Sequence, residues 1–243
     1  MKFDELDKKL RIYETAHDFC VLPNIYMVAR IDGHGFTRLT KEKHDFVKPF
    51  DESFRDYMVE TVKHLMNCGF KVIYGYTESD EISLLFDINE STYSRKTRKY
   101  NSILAGEASA KFSLLLGDIG VFDCRISQLP RKQDVVDYFR WRNEDAHRNA
   151  LNAHCYWLLR EEGWSARDAT KEISGKSTAF KNDLPKWQKR GVGVYWDNYE
   201  KQGWNPVQQV EVPAKRRELK VNYDLPMGDS YDQFMGELID QGN

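Results

Sequence analysis

The sequence is poor in the features that mark secreted, membrane-spanning and zinc-binding proteins. Its four cysteines lie far apart in 243 residues and form no Cys-x-x-Cys pair, which argues against a disulfide framework and against a zinc site. No run approaches the roughly 18 apolar residues that a membrane-spanning helix needs. The start of the chain alternates in charge and does not resemble a signal peptide. A cytoplasmic protein without a membrane partner is expected.

The sequence also lacks a large net charge of either sign, but its charges are unevenly distributed. There are 36 Lys and Arg residues against 38 Asp and Glu residues, a formal charge of −2. Residues 171–220 contain 11 basic and 6 acidic residues, whereas residues 221–243 contain 5 acidic residues and no basic one. The basic segment permits a polyanionic partner without requiring one. Its Trp187, Trp196 and Trp204 could stack on bases, although packing in the core explains each of them more simply.

Apolar patterning predicts an α+β fold. The predicted elements are strands at 24–31, 71–76, 81–86 and 122–127 and helices at 52–67, 95–116 and 133–161. Their order is that of the ferredoxin-like βαββαβ palm, an antiparallel sheet with helices on one face. A helix at 166–173, strand-like pieces near 191–196 and a helix at 231–239 are expected beyond it. We divide the chain into a palm-like core with an N-terminal extension, residues 1–130, and a helical and small-strand extension, residues 131–243, that is not an independent domain.

Two carboxylates are predicted to meet at one edge of this sheet. Asp32 closes the first strand, and Asp80 and Glu81 lie at the tip of the hairpin. The first and third strands of such a sheet are neighbours, so Asp32 and Asp80 are expected to face each other. Close carboxylates repel unless a cation lies between them, and Mg²⁺ is the usual cation where phosphates complete its coordination. This pairing predicts a palm-type nucleotidyltransferase, although an Asp-Gly turn and a solvated hairpin tip would each explain one residue alone.

Glycines and basic residues near this edge fit a phosphate-binding site. Gly33 and Gly35 would let backbone amides approach a phosphate closely. Lys48 could reach a phosphate, whereas Asp51 is more simply the cap of the following helix. The second predicted helix opens with Arg95, Lys96, Arg98 and Lys99. Such an N-terminus favours a triphosphate, and an exposed basic turn is the alternative.

Several short motifs follow one another in a fixed order between about Asn24 and Leu184. They are Arg30-Ile31-Asp32-Gly33-His34-Gly35-Phe36, Lys48-Pro49, Ser79-Asp80-Glu81, Arg95 to Lys99, Asp123-Cys124-Arg125, Tyr138 to Arg142 and Asp145-Ala146-His147. Together they resemble the tRNA-His guanylyltransferase family of 3′-to-5′ polymerases. The resemblance implies a palm used with reversed polarity, in which the 3′-hydroxyl of an incoming nucleoside triphosphate attacks an activated 5′ end of tRNA.

The resemblance also implies roles for individual residues. Asp32, Asp80 and Glu81 would be catalytic, and two Mg²⁺ ions would be held by Asp32, the Gly33 carbonyl and Asp80. The implied nucleotide-binding set is Asp32, Gly33, His34, Gly35, Phe36, Thr37, Phe46, Ser79, Asp80, Arg95 and Lys99. The activated 5′ end, or a second nucleotide, would lie near Lys48, Asp51, His147 and Asn149. ATP and GTP are the implied substrates, tRNA the implied partner and a homotetramer the implied assembly.

One segment departs from the family pattern. Where eukaryotic members carry His-Ile-Asn-Asn, this chain has His147-Arg148-Asn149-Ala150. Members without the intact motif resemble the tRNA-repair branch, which restores missing 5′ nucleotides by copying the opposite strand. Our hypothesis is a templated 3′-to-5′ nucleotidyltransferase that acts on 5′-truncated tRNA. The alternatives are tRNA-His guanylyltransferase itself, which adds G at position −1, a non-catalytic tRNA-binding module, and a cyclase that joins nucleotides on a similar palm.

Overall fold

The computed structural model describes residues 2–177, 190–205, 207 and 209–242, so Trp187 lies outside the described residues. Its helices are α1 (Phe3–Thr15), α2 (Phe36–Arg38), α3 (Glu52–Leu65), α4 (Thr97–Leu116), α5 (Lys132–Glu161), α6 (Ala166–Ile173) and α7 (Asp229–Gly242). Its strands are β1 (Tyr26–His34), β2 (Val72–Glu78), β3 (Glu81–Phe86), β4 (Val121–Leu129), β5 (Val192–Asn205) and β6 (Val210–Asn222). None of the helices in the described residues is long and apolar enough to cross a membrane.

The described strands form one antiparallel sheet in the order β4-β1-β3-β2-β5-β6. The first four strands have the order of a ferredoxin-like palm, which confirms the predicted fold class. Strand β1 lies between β3 and β4, with Ile31 opposite Ile82 on one side and Cys124 on the other. The turn between β2 and β3 therefore lies beside the end of β1, as the topology predicted.

Both faces of the sheet are covered, because side chains of a strand point alternately to its two sides. Met27, Ala29 and Ile31 of β1 are buried against α3 and α4, whereas Val28 is buried in a second cluster with residues of α5 and α7. The two palm helices thus share one face, as predicted, and the C-terminal helices cover the other. The division at residue 130 stays a prediction, since the extension and the palm share one sheet.

Strand β1 is longer than its apolar run. It was expected to end at Asp32-Gly33, but it continues to His34 because β4 pairs with it residue by residue, up to the pair His34 and Val121. Pairing with β3 ends earlier, at Asp32 and Glu81. Asp32 therefore lies within a strand that is paired on both sides, and the glycine-containing turn begins two residues later than predicted.

The C-terminal strands form a long ribbon rather than the small strands expected from the sequence. Strand β5 pairs with β2 only from Val192 to Tyr195, and the rest of it pairs with β6 alone. Strand β6 was not predicted, because its charged side chains alternate with few apolar ones and both faces of the ribbon are largely exposed. The ribbon extends the basic part of the chain away from the sheet.

Candidate active site

A cleft of about 700 Å³ opens between the hairpin tip, the segment that follows β1, and α5. Its lining includes many of the residues that were assigned to the site from the sequence. These are Phe36, Thr37, Phe46, Lys48, Asp51, Ser79, Asp80, Glu81 and Asn149. The cleft thus brings together part of the expected nucleotide-binding set and most of the expected 5′-end residues. The expected residues that do not line it are Asp32, Gly33, His34, Gly35, Arg95, Lys99 and His147.

Asp80 is held directly against the end of β1. Its backbone oxygen accepts a hydrogen bond of 3.1 Å from the Gly33 amide, and its Oδ1 accepts one of 3.1 Å from the Ser79 hydroxyl. A Cβ atom at position 33 would lie 2.8 Å from Asp80 Oδ2 and 2.5 Å from the ring of Phe36. Gly33 is therefore required here for close approach, and it lets the Asp80 carboxylate pack onto the backbone beside Asp32.

His34 and Gly35 lead out of β1 into the cleft wall. His34 is exposed and pairs with Val121 at the edge of the sheet. Gly35 has a φ of +73° and precedes α2, a left-handed conformation that glycine adopts without a steric penalty. This turn directs Phe36 into the core, where its ring packs 5.1 Å from that of Phe112, and leaves Thr37 on the cleft surface.

The carboxylates of this region repel one another. Burial raises the pKa of Asp80, and the negative charges of Asp32 and Glu81 add to the effect against its local hydrogen bonds. Burial also raises the pKa of Glu78 to about 8, with Glu81 and Asp145 acting in the same direction. Arg125 lies 3.2 Å from Asp32 and offsets part of this charge from the outer side of the sheet.

The donor set fits a hard divalent cation. Two carboxylates and a backbone carbonyl are oxygen ligands, which Mg²⁺ prefers, and it commonly takes the remainder of its octahedron from water and substrate phosphates. The mutual repulsion of Asp32 and Asp80 is the electrostatic condition that such an ion would relieve. Within the described part of the chain, no three His, Cys, Asp or Glu side chains form a group that would hold a metal by themselves. An ion held by Asp32, Asp80 and the Gly33 carbonyl would complete its coordination with water or substrate oxygens.

Glu81 is held by two guanidinium groups. One carboxylate oxygen accepts a hydrogen bond from Arg30 of β1, and the other lies 3.4 Å from Nη1 of Arg142 of α5. Both oxygens are therefore bound by guanidinium groups. These two contacts orient the carboxylate, and a direct catalytic role of Glu81 stays a prediction.

The segment between α2 and α3 carries Phe46, Lys48 and Asp51 along the cleft. Phe46 is half-buried, with its ring 5.4 Å from that of Phe54. Asp51 caps α3, as predicted: Oδ1 accepts from the Phe54 amide at 3.0 Å, and Oδ2 accepts from the Val47 amide at 2.9 Å. Lys48 Nζ lies 5.3 Å from the centre of the Trp157 ring. This segment and α5 therefore meet across the cleft.

Helix α5 forms the opposite wall. Asn149, Ala150 and Trp157 line the cleft, and Ala150 is 1% exposed. His147 lies on the same helix, where burial and then the positive charge of Arg190 lower its pKa. The lining thus offers one amide side chain at 149 and a methyl group at 150.

The structure does not bring Arg95 and Lys99 to the cleft. Arg95 is buried, and its guanidinium donates to three backbone carbonyls, one of which is that of Ile25. Ile25 immediately precedes β1 and Asp32 lies seven residues further on, so the two are roughly 23 Å apart along an extended strand. Lys99 lies in the first turn of α4 at the same distant end. A single copy of the chain thus does not place these two residues in the cleft, since α4 begins far from the cleft and runs towards it, and their contact with the nucleotide stays a prediction.

Several cleft residues were not assigned to the site from the sequence. Those with charged or aromatic side chains are Lys41, Phe50, Glu52, Phe54, Arg55, Tyr76, Glu78, Arg142, Asp145, Trp157 and Tyr223. Arg142 lies seven residues before Asn149 on α5, which is two helical turns and hence the same face. That spacing is the signal by which Arg142 was recognisable. Asp145 and Trp157, four residues before and eight residues after Asn149, share this face. The residues outside α5 reach the cleft only through the tertiary arrangement.

Comparisons with known proteins agree with this geometry. The family model "tRNAHis guanylyltransferase" matches residues 7–130, and the model "Thg1 C terminal domain" matches residues 133–222. A mouse protein named "Probable tRNA(His) guanylyltransferase" is 25% identical over 94% of this chain and 86% of its own length.

Two solved structures of a bacterial tRNA(His) guanylyltransferase-like protein are each 26% identical to this chain. The complex with GTP has a TM-score of 0.73 and covers 97% of this chain and 99% of its own. The complex with ATP has a TM-score of 0.74 and covers 96% and 99%. The chain therefore belongs to the tRNA(His) guanylyltransferase family of 3′–5′ nucleotidyltransferases.

Proposed function

We propose that this protein repairs 5′-truncated tRNA by templated addition of nucleotides in the 3′-to-5′ direction. An incoming nucleoside triphosphate, with ATP and GTP among the substrates, would bind along the end of β1 and the hairpin tip. Its 3′-oxygen would form a bond to the α-phosphorus of the activated 5′ end and lose its proton. The bond from that phosphorus to pyrophosphate, or to AMP when the end is adenylylated, would break. The new 5′ end carries the triphosphate of the added nucleotide.

The residues of the cleft divide this work between its two sides. Asp32, Asp80 and the Gly33 carbonyl would hold two Mg²⁺ ions, which when bound would acidify the attacking hydroxyl and neutralise the leaving group. Phe36, Thr37, Phe46 and Ser79 would bind the nucleotide. Lys48 would bind the phosphates of the activated end from the opposite side, together with Asn149, and would leave the ring of Trp157 when it does so.

The observation that favours templated repair is the methyl group at position 150. Ala150 is buried in the wall that would contact the activated end, where the eukaryotic motif has a second asparagine. A methyl group offers neither a donor nor an acceptor, so this wall would recognise an unpaired additional nucleotide less strongly. The incoming nucleotide would then be selected by base pairing with the opposite tRNA strand rather than by contacts with the protein.

The ribbon of β5 and β6 is our candidate for contact with the tRNA backbone. It carries Lys215, Arg216 and Arg217 next to one another, and Trp204 on it is 63% exposed. Trp196 is less suited to stacking on a base, because its Nε1 donates to the Val72 carbonyl and Arg217 covers its ring. Assembly as a homotetramer and a cytoplasmic location are further proposals that rest on the family resemblance.

The test is incorporation of labelled nucleotide at the 5′ end of a tRNA that lacks its first residue. It uses Mg²⁺, all four triphosphates, and RNA with either a 5′-monophosphate or a 5′-triphosphate. We expect extension that stops at the full-length acceptor stem and follows the opposite base when that base is changed. Asp32→Asn and Asp80→Asn should each lower the rate by roughly 10²- to 10³-fold, whereas the exposed control Asp137→Asn on α5 should not.

The second candidate function is addition of G at position −1 of tRNA-His. It is favoured by the relatives' names, since the mouse protein is named for that reaction. Labelled G added to full-length tRNA-His, without extension of any truncated tRNA, would replace the repair proposal with this one. The non-catalytic binding module does not account for the family, which consists of nucleotidyltransferases.

A further inference from the structure

Arg142 is a buried charge that joins the two sides of the cleft. It lies on α5 and is 5% exposed, with Nη1 3.4 Å from Glu81 of the hairpin and Nη2 3.6 Å from Asp145 of its own helix. Its guanidinium also lies 3.5 Å from the centre of the Trp141 ring. Burying a guanidinium is unfavourable unless it is well paired, so its position between these partners calls for a reason beyond stability.

The hydrogen-bonding capacity of Glu81 is better satisfied than that of Arg142. Its Nε is buried and has no hydrogen-bond partner among the described residues. Glu81, by contrast, has both carboxylate oxygens engaged, by Arg142 from α5 and by Arg30 from β1. The carboxylate is thus held by Arg30 of β1, the strand that already pairs with this turn, and by Arg142 of α5, which ties the residue after Asp80 to the opposite wall of the cleft.

The two sides that Arg142 joins carry the two halves of the reaction. Asp80 lies on the β2–β3 turn, one residue before Glu81, and Asn149 lies two turns after Arg142 on the same face of α5. An in-line transfer requires the attacking oxygen and the phosphorus to be aligned within about 0.5 Å. A helix that could slide or tilt relative to the hairpin would not maintain that alignment.

We propose that Arg142 is a positioning residue that sets the distance between the Asp80 turn and the wall of α5 that receives the activated 5′ end. The inference rests on the proposed function only for the identity of the two substrates. It holds equally for repair and for addition of G at −1, because both use the same two sides of the cleft. In this proposal Arg142 acts through Glu81 rather than on a substrate.

The test compares Arg142→Lys and Glu81→Gln with the control Arg160→Lys, an exposed position on the same helix. Lysine keeps the charge but not the planar, two-pronged geometry of the guanidinium. We expect Arg142→Lys to lower kcat by about 10- to 100-fold, with KM for the nucleotide within about threefold, because the nucleotide binds on the palm side. The pH profile should keep its shape. The double variant should be no slower than the slower single variant, because both changes break the same contact, the one between Arg142 and Glu81.

Hydrogen exchange of residues 77–83 provides a measurement that needs no substrate. Arg142→Lys should speed exchange of this segment, while Arg160→Lys leaves it unchanged. The inference is overturned by wild-type exchange in Arg142→Lys, by wild-type kcat, or by a raised KM with unchanged kcat.

Kinetics are measured on whichever RNA the wild-type protein extends. Failure of repair by the wild type would therefore refute the proposed function and leave the positioning role to be decided by exchange and by the G-addition assay.

Discussion

Substitution of Gly33 by alanine isolates the close approach between β1 and Asp80. The added Cβ would lie 2.5 Å from Phe36 Cδ2 and 2.8 Å from Asp80 Oδ2, whereas an ordinary contact needs about 3.4 Å or more. The ring must therefore move by roughly 0.9 Å and the carboxylate by roughly 0.6 Å, if the strand itself stays in place. Overpacking of this kind costs about 1–3 kcal/mol, which for a chain of this size lowers Tm by roughly 3–10 °C. A displacement of about 1 Å at a reacting group lowers the rate by about 100-fold.

The assay is single-turnover nucleotide addition at 25 °C, well below the transition, together with thermal unfolding of the same samples. Gly106→Ala is the matched control, since Gly106 is exposed on α4 and a Cβ there meets no atom within 4 Å. That change should raise stability by about 0.5–1 kcal/mol, because alanine favours the helix, and leave the rate unchanged. A Gly33→Ala protein with near-normal rate and near-normal Tm would refute the reasoning. Equal loss of rate in both variants would refute it as well.

Three further predictions concern other parts of the chain. Cys20 is exposed, whereas burial raises the pKa of Cys68 to about 11 and of Cys124 to about 12, and the fourth thiol is fully buried. A disulfide reagent at pH 8 should therefore modify one thiol rapidly in the folded protein, and Cys20→Ser should abolish this phase. Hydrogen bonds from two basic side chains of α4 and its N-terminal flank hold the pKa of Asp18 well below its usual range. This stabilisation is present above the ordinary pKa of about 3.9 and is lost as pH falls towards the lowered value. The difference in Tm between wild type and Asp18→Asn should therefore shrink between pH 7 and pH 3, and a constant difference would contradict the ion-pair origin. Tyr74 is buried, with its hydroxyl 3.1 Å from that of a tyrosine of α7. Tyr74→Phe should cost about 1 kcal/mol in chemical denaturation, and no cost would mean that the bond does not form.

The palm could be predicted from the sequence because its strands and helices carry regular apolar patterns. Once the order βαββαβ is read, the topology alone places the turn before Glu81 beside the end of β1, and the meeting of Asp32 with Asp80 follows. Asp51 was recognisable as a helix cap from its position before a helical repeat, and its two carboxylate oxygens indeed bind backbone amides.

The structure differs from the expectations drawn from the sequence where residue type and local pattern conflict with tertiary contacts. Arg95 reads as a surface residue at a helix start, yet three consecutive residues, Tyr93 to Arg95, have φ between 52° and 58°. This left-handed turn directs the guanidinium inwards to backbone carbonyls. Strand β6 was missed because a ribbon exposed on both faces lacks the alternation that marks a half-buried strand. The pairing of Glu81 with Arg142 joins residues 61 apart in sequence, which no local pattern reports.

The site is therefore composite, and this bears on how the family's chemistry is divided along the chain. The palm supplies the carboxylates at the end of β1 and at the β2–β3 turn, and α3 and α4 cover only the face of the sheet away from α5. Helix α5 supplies the other wall of the cleft through Asn149 and Trp157. In the proposed function that wall receives the activated 5′ end, so a palm without α5 would keep its paired acids but lose this proposed contact. Selectivity for the RNA end should thus change with substitutions on α5, while the use of nucleotide and metal should change with substitutions at the turn, and Arg142 is where the two sets of effects should meet.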